Sequence, residues 1–436
     1  MTDYLTIEEA CSEILDRRGL TPKKLGSEFT DSGYRVISAK LITEAGLELD
    51  RDNPRFVDQA TYKKWMSSPL LEGDVLLTSE APTGRVAYIK EKKEWCLGQR
   101  LFCLRPSENV SGRYLYYALQ SPKVFWELTS RGTGTTVVGI RQSSLREVTI
   151  PIPTKEDQKA IAHILGTLDD KIELNQKMNQ TLEEIAKAIF KSWFVDFDPV
   201  RAKAEGRPTG LPPEISNLFP DELVDSEIGE IPKGWGVGSI SDFTFLNKKT
   251  VNPSQSTEVY EHFSIPAFDS GQFPVLDLGT DIKSNKNLVV EGSLLVSKLN
   301  PNTPRVWLPT PKDLHEQICS TEFMVYTPTD HSNIAFLWGL FTSSVVSERM
   351  EAMVTGTSKS HQRVKPNDVS NITTVTPDAR LIETYGDIVL PMLNRTLVGK
   401  SESSVVVELR DTLLPKLISG ELRIPDAEKF LEEAGI

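Results

Sequence analysis

The feature of this sequence that most constrains its fold is a long internal repeat. When the chain is shifted over itself by 224 positions, residues 132–194 align without a gap on residues 356–418. Few residues are identical, but apolar positions fall on apolar positions, as in the pairs Ile140/Val364, Leu145/Val369, Val148/Ile372 and Ile189/Leu413. Solenoid repeats are about 20–50 residues long. A period this long instead indicates two whole domains, each followed by a helix.

A weaker repeat lies upstream of this block. Residues 72–78 (Glu-Gly-Asp-Val-Leu-Leu-Thr) resemble residues 291–297 (Glu-Gly-Ser-Leu-Leu-Val-Ser). One inserted residue later, Arg85 corresponds to Arg305. The repeat therefore extends into the two globular parts of the chain.

The globular segments have the sequence texture of α+β domains. Short β-like runs separated by turn residues occur at 34–38, 75–78, 86–89 and 101–104. A helix is predicted over 6–16, where Thr6 and Glu9 match a capping box and Ile7, Cys11, Ile14 and Leu15 form an apolar stripe. A second helix is predicted over 114–128.

Residues 155–194 are predicted to form one long helix, because they contain no proline and their apolar residues recur at heptad-like intervals. Forty residues of helix span about 60 Å. That length is typical of a spacer or a partner-binding rod, and a surface helix packed on its own domain is the alternative. Asn175 occupies a break in the predicted seam, which consists of Ile161, Leu165, Leu168, Ile172, Met178, Leu182, Ile185 and Ile189.

A second helical segment begins after Pro377. It repeats the seam at Leu409, Leu413 and Leu417, and Gly399 with the serines that follow predicts a weak point or break in its middle. The predicted organisation is an N-terminal helix with a first α+β domain, a spacer helix, a Pro-rich linker, a second α+β domain and a C-terminal helix with a tail, over residues 1–153, 154–196, 197–232, 233–376 and 377–436.

The net charge of −12 is unevenly distributed along the chain. Acidic residues are in excess mainly in the helical and linker segments, whereas residues 21–150 contain more basic than acidic side chains. Whole-chain charge can hide a basic face, so the domains remain compatible with DNA binding. The four cysteines form no CxxC pair, and no signal-like or membrane-like run is present, so we expect a cytoplasmic protein with reduced thiols.

The sequence lacks the motifs that common DNA-acting enzymes need. There is no Asn/Asp-Pro-Pro-aromatic methylation motif, no GxGxxG, no GxxxxGK[ST] and no HExxH. These absences favour a binding or scaffolding role. The candidate DNA contacts are polar and basic loop residues of the types that bind phosphates and base edges. They are Arg85, Gln99, Arg100, Thr133, Thr135 and Arg141 in the first half, and Lys298, Arg305, Thr357, Lys359, Gln362, Arg363 and Lys365 in the second.

Four segments resemble the specificity (S) subunits of type I restriction-modification systems. Residues 189–200 (Ile-Phe-Lys-Ser-Trp-Phe-Val-Asp-Phe-Asp-Pro-Val) are similar to the end of that family's central helix. Residues 150–158 resemble the approach to the same helix, 228–235 the opening of the second half, and 413–422 the C-terminal helix. The resemblance extends over essentially the full length of the chain, and these motifs together are highly specific.

The resemblance implies an α+β fold with two target-recognition domains separated by two long antiparallel, coiled-coil-like helices in a pseudo-two-fold internal repeat. Each domain would read one half of an asymmetric, split site in double-stranded DNA. The helices, through the seam residues named above, would set the spacer and bind two modification (methyltransferase) subunits that carry S-adenosylmethionine. Restriction subunits would add ATP- and Mg²⁺-dependent cleavage, and this chain itself would bind no cofactor or metal.

Two other functions remain open from the residues alone. A two-domain coiled-coil adaptor that binds proteins without DNA specificity would show the same repeat. A self-contained DNA methyltransferase is disfavoured by the missing methylation motifs.

Overall fold

The computed structural model describes residues 3–43, 46–49, 53–133, 138–330, 332–354, 362–433 and 435. The chain forms two compact units. Unit 1 comprises Met1–Leu174 and Ser403–Ile436, and unit 2 comprises Asn175–Glu402. Among the described residues, no helix has the length and apolar character needed to cross a membrane.

The helices and strands are numbered in chain order. The helices are α1 Ile7–Ala10, α2 Gln59–Trp65, α3 Gly112–Gln120, α4 Pro122–Ser130, α5 Gln142–Arg146, α6 Lys155–Phe194, α7 Asp198–Ala204, α8 Pro213–Ser216, α9 Ile265–Asp269, α10 Ile334–Thr342, α11 Ser344–Ala352, α12 Pro366–Ser370, α13 Ala379–Ser419 and α14 Ile424–Glu433. The strands of unit 1 are β1 Asp3–Thr6, β2 Cys11–Asp16, β3 Tyr34–Ile37, β4 Ile42–Thr43, β5 Gly46–Leu47, β6 Phe56–Val57, β7 Val75–Thr78, β8 Val86–Tyr88, β9 Cys96–Leu97, β10 Leu101–Pro106 and β11 Thr149–Ile152. Those of unit 2 are β12 Leu223–Ser226, β13 Gly229–Pro232, β14 Gly236–Ser239, β15 Thr244–Asn247, β16 Thr250–Val251, β17 Val259–Phe263, β18 Val275–Leu278, β19 Lys286–Leu288, β20 Leu294–Ser297, β21 Val306–Trp307, β22 Glu316–Cys319, β23 Phe323–Pro328 and β24 Thr373–Thr376.

Unit 1 is built around an antiparallel sheet in the order β2-β10-β7-β8. One apolar core joins a face of this sheet to α3, α4 and α5, and a second joins it to the small sheet β6-β3-β9 and to α2. The chain enters and leaves through the antiparallel pair β1–β11. The strands predicted near residues 34, 75, 86 and 101 are confirmed as β3, β7, β8 and β10.

Unit 2 repeats this framework. Its main antiparallel sheet has the order β15-β23-β20-β21, and the pair β14–β24 corresponds to β1–β11. Its second sheet is larger, with the order β16-β19-β22-β17-β18. The predicted α+β class and the internal repeat are therefore confirmed, and the two copies differ most in the second sheet.

Each unit also contains an antiparallel pair of helix segments. In unit 1 the first part of α6 packs on the last part of α13 through Ile161, Leu165, Leu168, Ile172, Val406, Leu413 and Leu417, and Leu409 is partly buried beside them. Arg410 donates a hydrogen bond to Asp169 across this pair at 3.0 Å. In unit 2 the later part of α6 packs on the first part of α13, and the Tyr385 hydroxyl donates to the Ala186 carbonyl at 3.3 Å.

The seam of α6 differs from the predicted one in its second half. The buried positions there are Asn175, Asn179, Ala186, Phe190, Trp193 and Phe194. Asn175, Asn179, Ala186 and Trp193 fall in the heptad that continues the first half, whereas the predicted seam treats Asn175 as an interruption. Leu182 and Ile189 also fall in this heptad but are only half-buried, whereas the predicted members Met178 and Ile185 lie beside it, with Met178 half-buried and Ile185 41% exposed.

The N-terminal helix predicted over 6–16 is wrong beyond its first turn. The capping box is confirmed, since the Glu9 N–H donates to the Thr6 hydroxyl at 3.2 Å and the Thr6 N–H donates to the Glu9 carboxylate at 2.8 Å. The helix ends at Ala10, and Cys11–Asp16 form strand β2 on β10. Pairing with the main sheet outweighs the local helical pattern.

Three other segments refine the predicted element boundaries. The helix predicted over 114–128 is two helices, because Pro122 cannot continue α3 and instead begins α4. The predicted break near Gly399 is absent, since α13 is continuous. The segment predicted as a linker contains α7, α8 and the β12–β13 hairpin, and it buries Phe197, Val200 and Phe219 against the core of unit 2.

Candidate nucleic-acid interface

One backbone junction in unit 1 brings several candidate residues together. Strand β7 ends at Thr78, and the next residue, Ser79, is bonded on both sides. Its N–H donates to the Arg100 carbonyl at 2.8 Å, and its carbonyl accepts from the Ile140 N–H at 2.8 Å. The end of β7, the start of β10 and the loop before α5 therefore meet at Ser79.

Unit 2 builds the same junction with equivalent bonds. The Lys298 N–H donates to the Glu322 carbonyl at 2.9 Å, and the Lys298 carbonyl accepts from the Val364 N–H at 3.0 Å. Lys298 takes the place of Ser79, and Glu322 takes the place of Arg100. The two units therefore share a backbone frame and present different side chains on it.

An open depression of about 370 Å³ lies at the junction of unit 1, and we call it the first depression. Four candidate residues line it: Gln99, Arg100, Thr133 and Arg141. All four are exposed. Arg100 is 3.0 Å from the Glu80 carboxylate. Such an exposed ion pair contributes at most about 1 kcal/mol, so a phosphate or a base edge can displace it at little cost.

Backbone geometry fixes two of these side chains. Thr133 and Gly139 exchange N–H···O bonds of 2.9 and 3.1 Å, which hold Thr133 at the rim. Arg100 has φ of 65°, a left-handed conformation that is uncommon for a residue other than glycine. Such backbone is often found at functional sites, where it directs a side chain.

The equivalent depression in unit 2, which we call the second depression, has a volume of about 440 Å³. Lys298 and Lys365 line it, together with Asn247, Lys248 and Asn287. Lys365 precedes α12 as the capping residue, as Arg141 precedes α5 in unit 1. The repeat offset that pairs Arg141 with Lys365 in the sequence therefore pairs them in the structure.

Four other candidates are not among the residues that line these depressions. Among the described residues, neither Arg85 nor Arg305 lines a depression. Arg305 donates two bonds to Asp269, at 2.7 and 2.9 Å, and its side chain is only 12% exposed. Arg363 donates two bonds of 3.0 Å to Glu322, which raise the pKa of Arg363. Gln362 lies next to it, and its carbonyl accepts from the Asn300 N–H at 2.8 Å.

Three candidates cannot be placed. Thr135, Thr357 and Lys359 lie outside the described residues. Their proposed role in DNA binding stays a prediction.

Two basic residues of the depressions were missed by the sequence reading: Arg18 and Lys248. Each belongs to a basic pair that directly follows the outer strand of the main sheet, Arg17-Arg18 after β2 and Lys248-Lys249 after β15. That recurrence was visible in the sequence. It was overlooked because residues 6–16 were assigned to a helix, which hid the equivalence of β2 and β15.

Arg18 is held in place by its neighbours. Its guanidinium lies 3.9 Å from the centre of the Phe102 ring and donates to Asp16 at 2.9 and 2.7 Å and to the Ile140 carbonyl at 3.3 Å. Burial alone would raise the pKa of Asp16, but the hydrogen bonds from Arg18 outweigh it and the pKa is lowered. Asp16 therefore stays ionised at neutral pH, and its bonds with Arg18 fix one wall of the first depression.

Comparison with known proteins gives a consistent result. Residues 12–184 match the family model described as the type I restriction modification DNA specificity domain. The chain is 25% identical to the type I restriction enzyme MjaIX specificity subunit of Methanocaldococcus jannaschii, over 93% of this chain and 87% of that protein. It is 27% identical to the HindI specificity subunit of Haemophilus influenzae, over 80% and 87% of the two chains.

The fold itself also has a solved counterpart. The S subunit of a type I restriction-modification system from M. genitalium superposes with a TM-score of 0.57 over 96% of both chains, at 15% identity. At that identity the likeness concerns the fold alone.

Proposed function

Since this chain belongs to the specificity subunits of type I restriction-modification systems, we propose that it is the non-catalytic subunit that reads a bipartite, asymmetric DNA site. Each unit would read one half-site. The observation that carries the proposal is the repeated junction, which places unlike polar side chains on a common backbone frame.

The side chains of the two depressions suit different base patterns. Arginine is the most common bidentate partner of guanine, and asparagine and glutamine can pair with adenine. The first depression offers Arg18, Gln99 and Arg141, and the second offers Asn247, Lys248 and Lys365. Because the lining differs while the frame is kept, we expect the two halves of the site to differ in sequence.

Each of the two long helices exposes an apolar residue, at equivalent positions of the repeat, that can contact a partner protein. Leu174 on α6 and Val398 on α13 are equivalent in the repeat, and they are 62% and 50% exposed. We propose that each contributes to the docking of one modification subunit, which gives two such subunits for one chain. S-adenosylmethionine would bind those subunits, and ATP and Mg²⁺ would serve the restriction subunits. The helices would also set the length of the spacer between half-sites.

A gel-shift assay tests the proposal directly. The full chain, co-expressed with its methyltransferase subunits, is mixed with fragmented genomic DNA at about 0.15 M salt, where weak surface electrostatics are partly screened. We expect a reproducible subset of fragments to be retained against excess unrelated duplex. The wild type is compared with the double variant Arg141→Ala with Lys365→Ala. This variant should still bind the partner subunits, but it should no longer retain that subset of DNA fragments.

A protein-binding adaptor would behave differently. It would bind the partner subunits and retain no particular fragments. That outcome would reject the proposed function.

A further inference from the structure

A second cleft in unit 1, distinct from the first depression, has no assigned role. It has a volume of about 230 Å³ and lies between β3, the loop before β6 and the segment before β10. Its floor is apolar and includes Val36, Leu41 and Trp65. Trp65 is 2% exposed, and its indole N–H donates to the Leu97 carbonyl at 3.0 Å, so this floor is rigid. We call it the basic cleft.

The rim of the basic cleft is cationic. Arg35, Lys40 and Arg55 line it, with Asn53 beside them. No aspartate or glutamate is among the described residues that line the cleft. Lys40 and Arg55 are exposed to solvent.

An aromatic ring orients one of these cations. The Arg55 guanidinium lies 5.3 Å from the centre of the Phe29 ring, within the range of a cation–π contact. Phe29 also lines the cleft and is 47% exposed. An exposed ring next to a fixed guanidinium offers an apolar surface and a positive charge side by side.

The basic cleft adjoins the first depression. Gln99 lines both, so the two hollows share this residue as a common wall. A ligand that extends from one to the other would pass Gln99. A DNA strand whose bases are read at the first depression could therefore continue along the basic cleft.

We propose that the basic cleft binds the sugar–phosphate backbone of the first half-site, a proposal that rests on the proposed function. Deoxyribose has an apolar face that fits the floor at Val36 and Leu41, and each phosphate carries the charge that Lys40 and Arg55 match. Backbone contacts supply affinity and register, and they carry no sequence information directly. The cleft therefore positions the strand, and the first depression reads it.

Salt dependence separates this role from base reading. The double variant Lys40→Gln with Arg55→Gln is assembled with the methyltransferase subunits, and its binding to a duplex carrying the methylated motif is titrated against salt. Each lost phosphate contact lowers the slope of log K against log salt by about 0.9. We expect the magnitude of the slope to fall by about 1.8 and the affinity at about 0.1 M salt to fall about 60-fold, because the wild-type and variant affinities converge near 1 M salt. Preference for the motif over a scrambled duplex should be unchanged.

Two further variants serve as controls. Lys63→Gln with Lys64→Gln removes the same charge from exposed positions of α2, and should leave the slope at the wild-type value. Lys40→Arg with Arg55→Lys keeps both charges and should restore it. Thermal unfolding of each complex establishes that all variants are folded.

Several results would overturn the proposal. One is a Lys40/Arg55 variant that matches the α2 control in slope and affinity. Another is a loss of motif preference at unchanged slope, which would assign the cleft to base reading. A third is loss of a partner subunit at unchanged DNA affinity, which would assign it to an acidic protein segment. If the wild-type complex shows no motif preference, the proposed function fails, and the slope of non-specific binding still decides the role of the cleft.

Discussion

At the scale of single residues, the pair Arg141 and Lys365 is the clearest product of the duplication. Both directly precede the short helix that follows the junction, and both line a depression. Their chemistry differs, because arginine is planar and can form two parallel hydrogen bonds while lysine is a flexible point charge. The two halves thus share this backbone position but differ in the side chain that it carries, and so in the hydrogen bonds that the side chain can form.

Arg141→Ala should weaken binding through the first half-site, and Lys365→Ala through the second. A lost base contact costs about 1–3 kcal/mol. The measurement is affinity for duplexes in which one half-site at a time is scrambled. Each variant should lose its sensitivity to one half-site only. Lys63→Ala and Lys283→Ala, exposed lysines outside the depressions, are the matched controls. Equal sensitivity of both variants to both half-sites would contradict the assignment.

Arg305 illustrates a residue whose predicted DNA contact competes with a structural role. Its bidentate pair with Asp269 is partly buried. We expect Arg305→Ala and Asp269→Ala to lower the stability of unit 2 by a similar amount, about 1 kcal/mol. A DNA contact would show as a loss of affinity for the second half-site in Arg305→Ala and no loss in Asp269→Ala. Arg85→Ala tests the equivalent prediction in unit 1.

At the scale of elements, the helix seam shows what sequence patterns can and cannot locate. The length of α6 and its apolar first half followed from periodicity, since Ile161, Leu165, Leu168 and Ile172 are all buried. The second half did not, because buried Asn175 and Asn179 occupy core positions that hydrophobicity alone does not mark. Buried asparagine at such positions is known to fix helix register.

The short elements were harder to predict for a different reason. The junction residues meet through backbone bonds between segments far apart in the sequence, as Ser79, Arg100 and Ile140 do. Loop composition suggested Gln99, Arg100, Thr133 and Arg141 but gave no means of separating them from Arg305, which is engaged with Asp269. Tertiary pairing likewise decided that Cys11–Asp16 form a strand.

A polar layer between α6 and α13 within unit 2 provides a test of register. The Asn175 amide donates to Glu402 at 3.3 Å, and a side chain added at Gly399 would place its Cβ 2.4 Å from the Asn179 amide oxygen. Gly399→Ala should therefore destabilise the protein by about 1–3 kcal/mol through overpacking. Asn179→Ala should remove that penalty when the two are combined. Denaturant unfolding of the single and double variants measures the coupling free energy between positions 399 and 179. If the two changes in unfolding free energy simply add, this contact does not limit how α6 and α13 align.

At the scale of the whole molecule, the chain comprises two units of one design. Unit 1 and unit 2 each hold an α+β domain and one segment of both α6 and α13. Two such units with unlike depressions fit the proposed site, whose two halves differ. A contiguous or symmetric site would need neither the difference nor the long helices.

Removal of one heptad from α6 should change the spacing that the complex recognises. Seven residues of helix correspond to about 10 Å, or about three base pairs of DNA. We expect a spacer shorter by about that amount, or no recognition at all if the helix pair cannot adjust. Methylation mapping in cells that carry the variant gives the spacing. An unchanged spacer would show that α6 does not set it.

The most direct test of the central claim is a map of methylated bases in cells with and without this gene, in the presence of the partner methyltransferase subunits. We expect a motif that appears only with the gene and consists of two unlike specified halves separated by a fixed run of unspecified bases. A contiguous motif, or a methylation pattern that is the same with and without the gene, would contradict the assignment of one half-site to each unit.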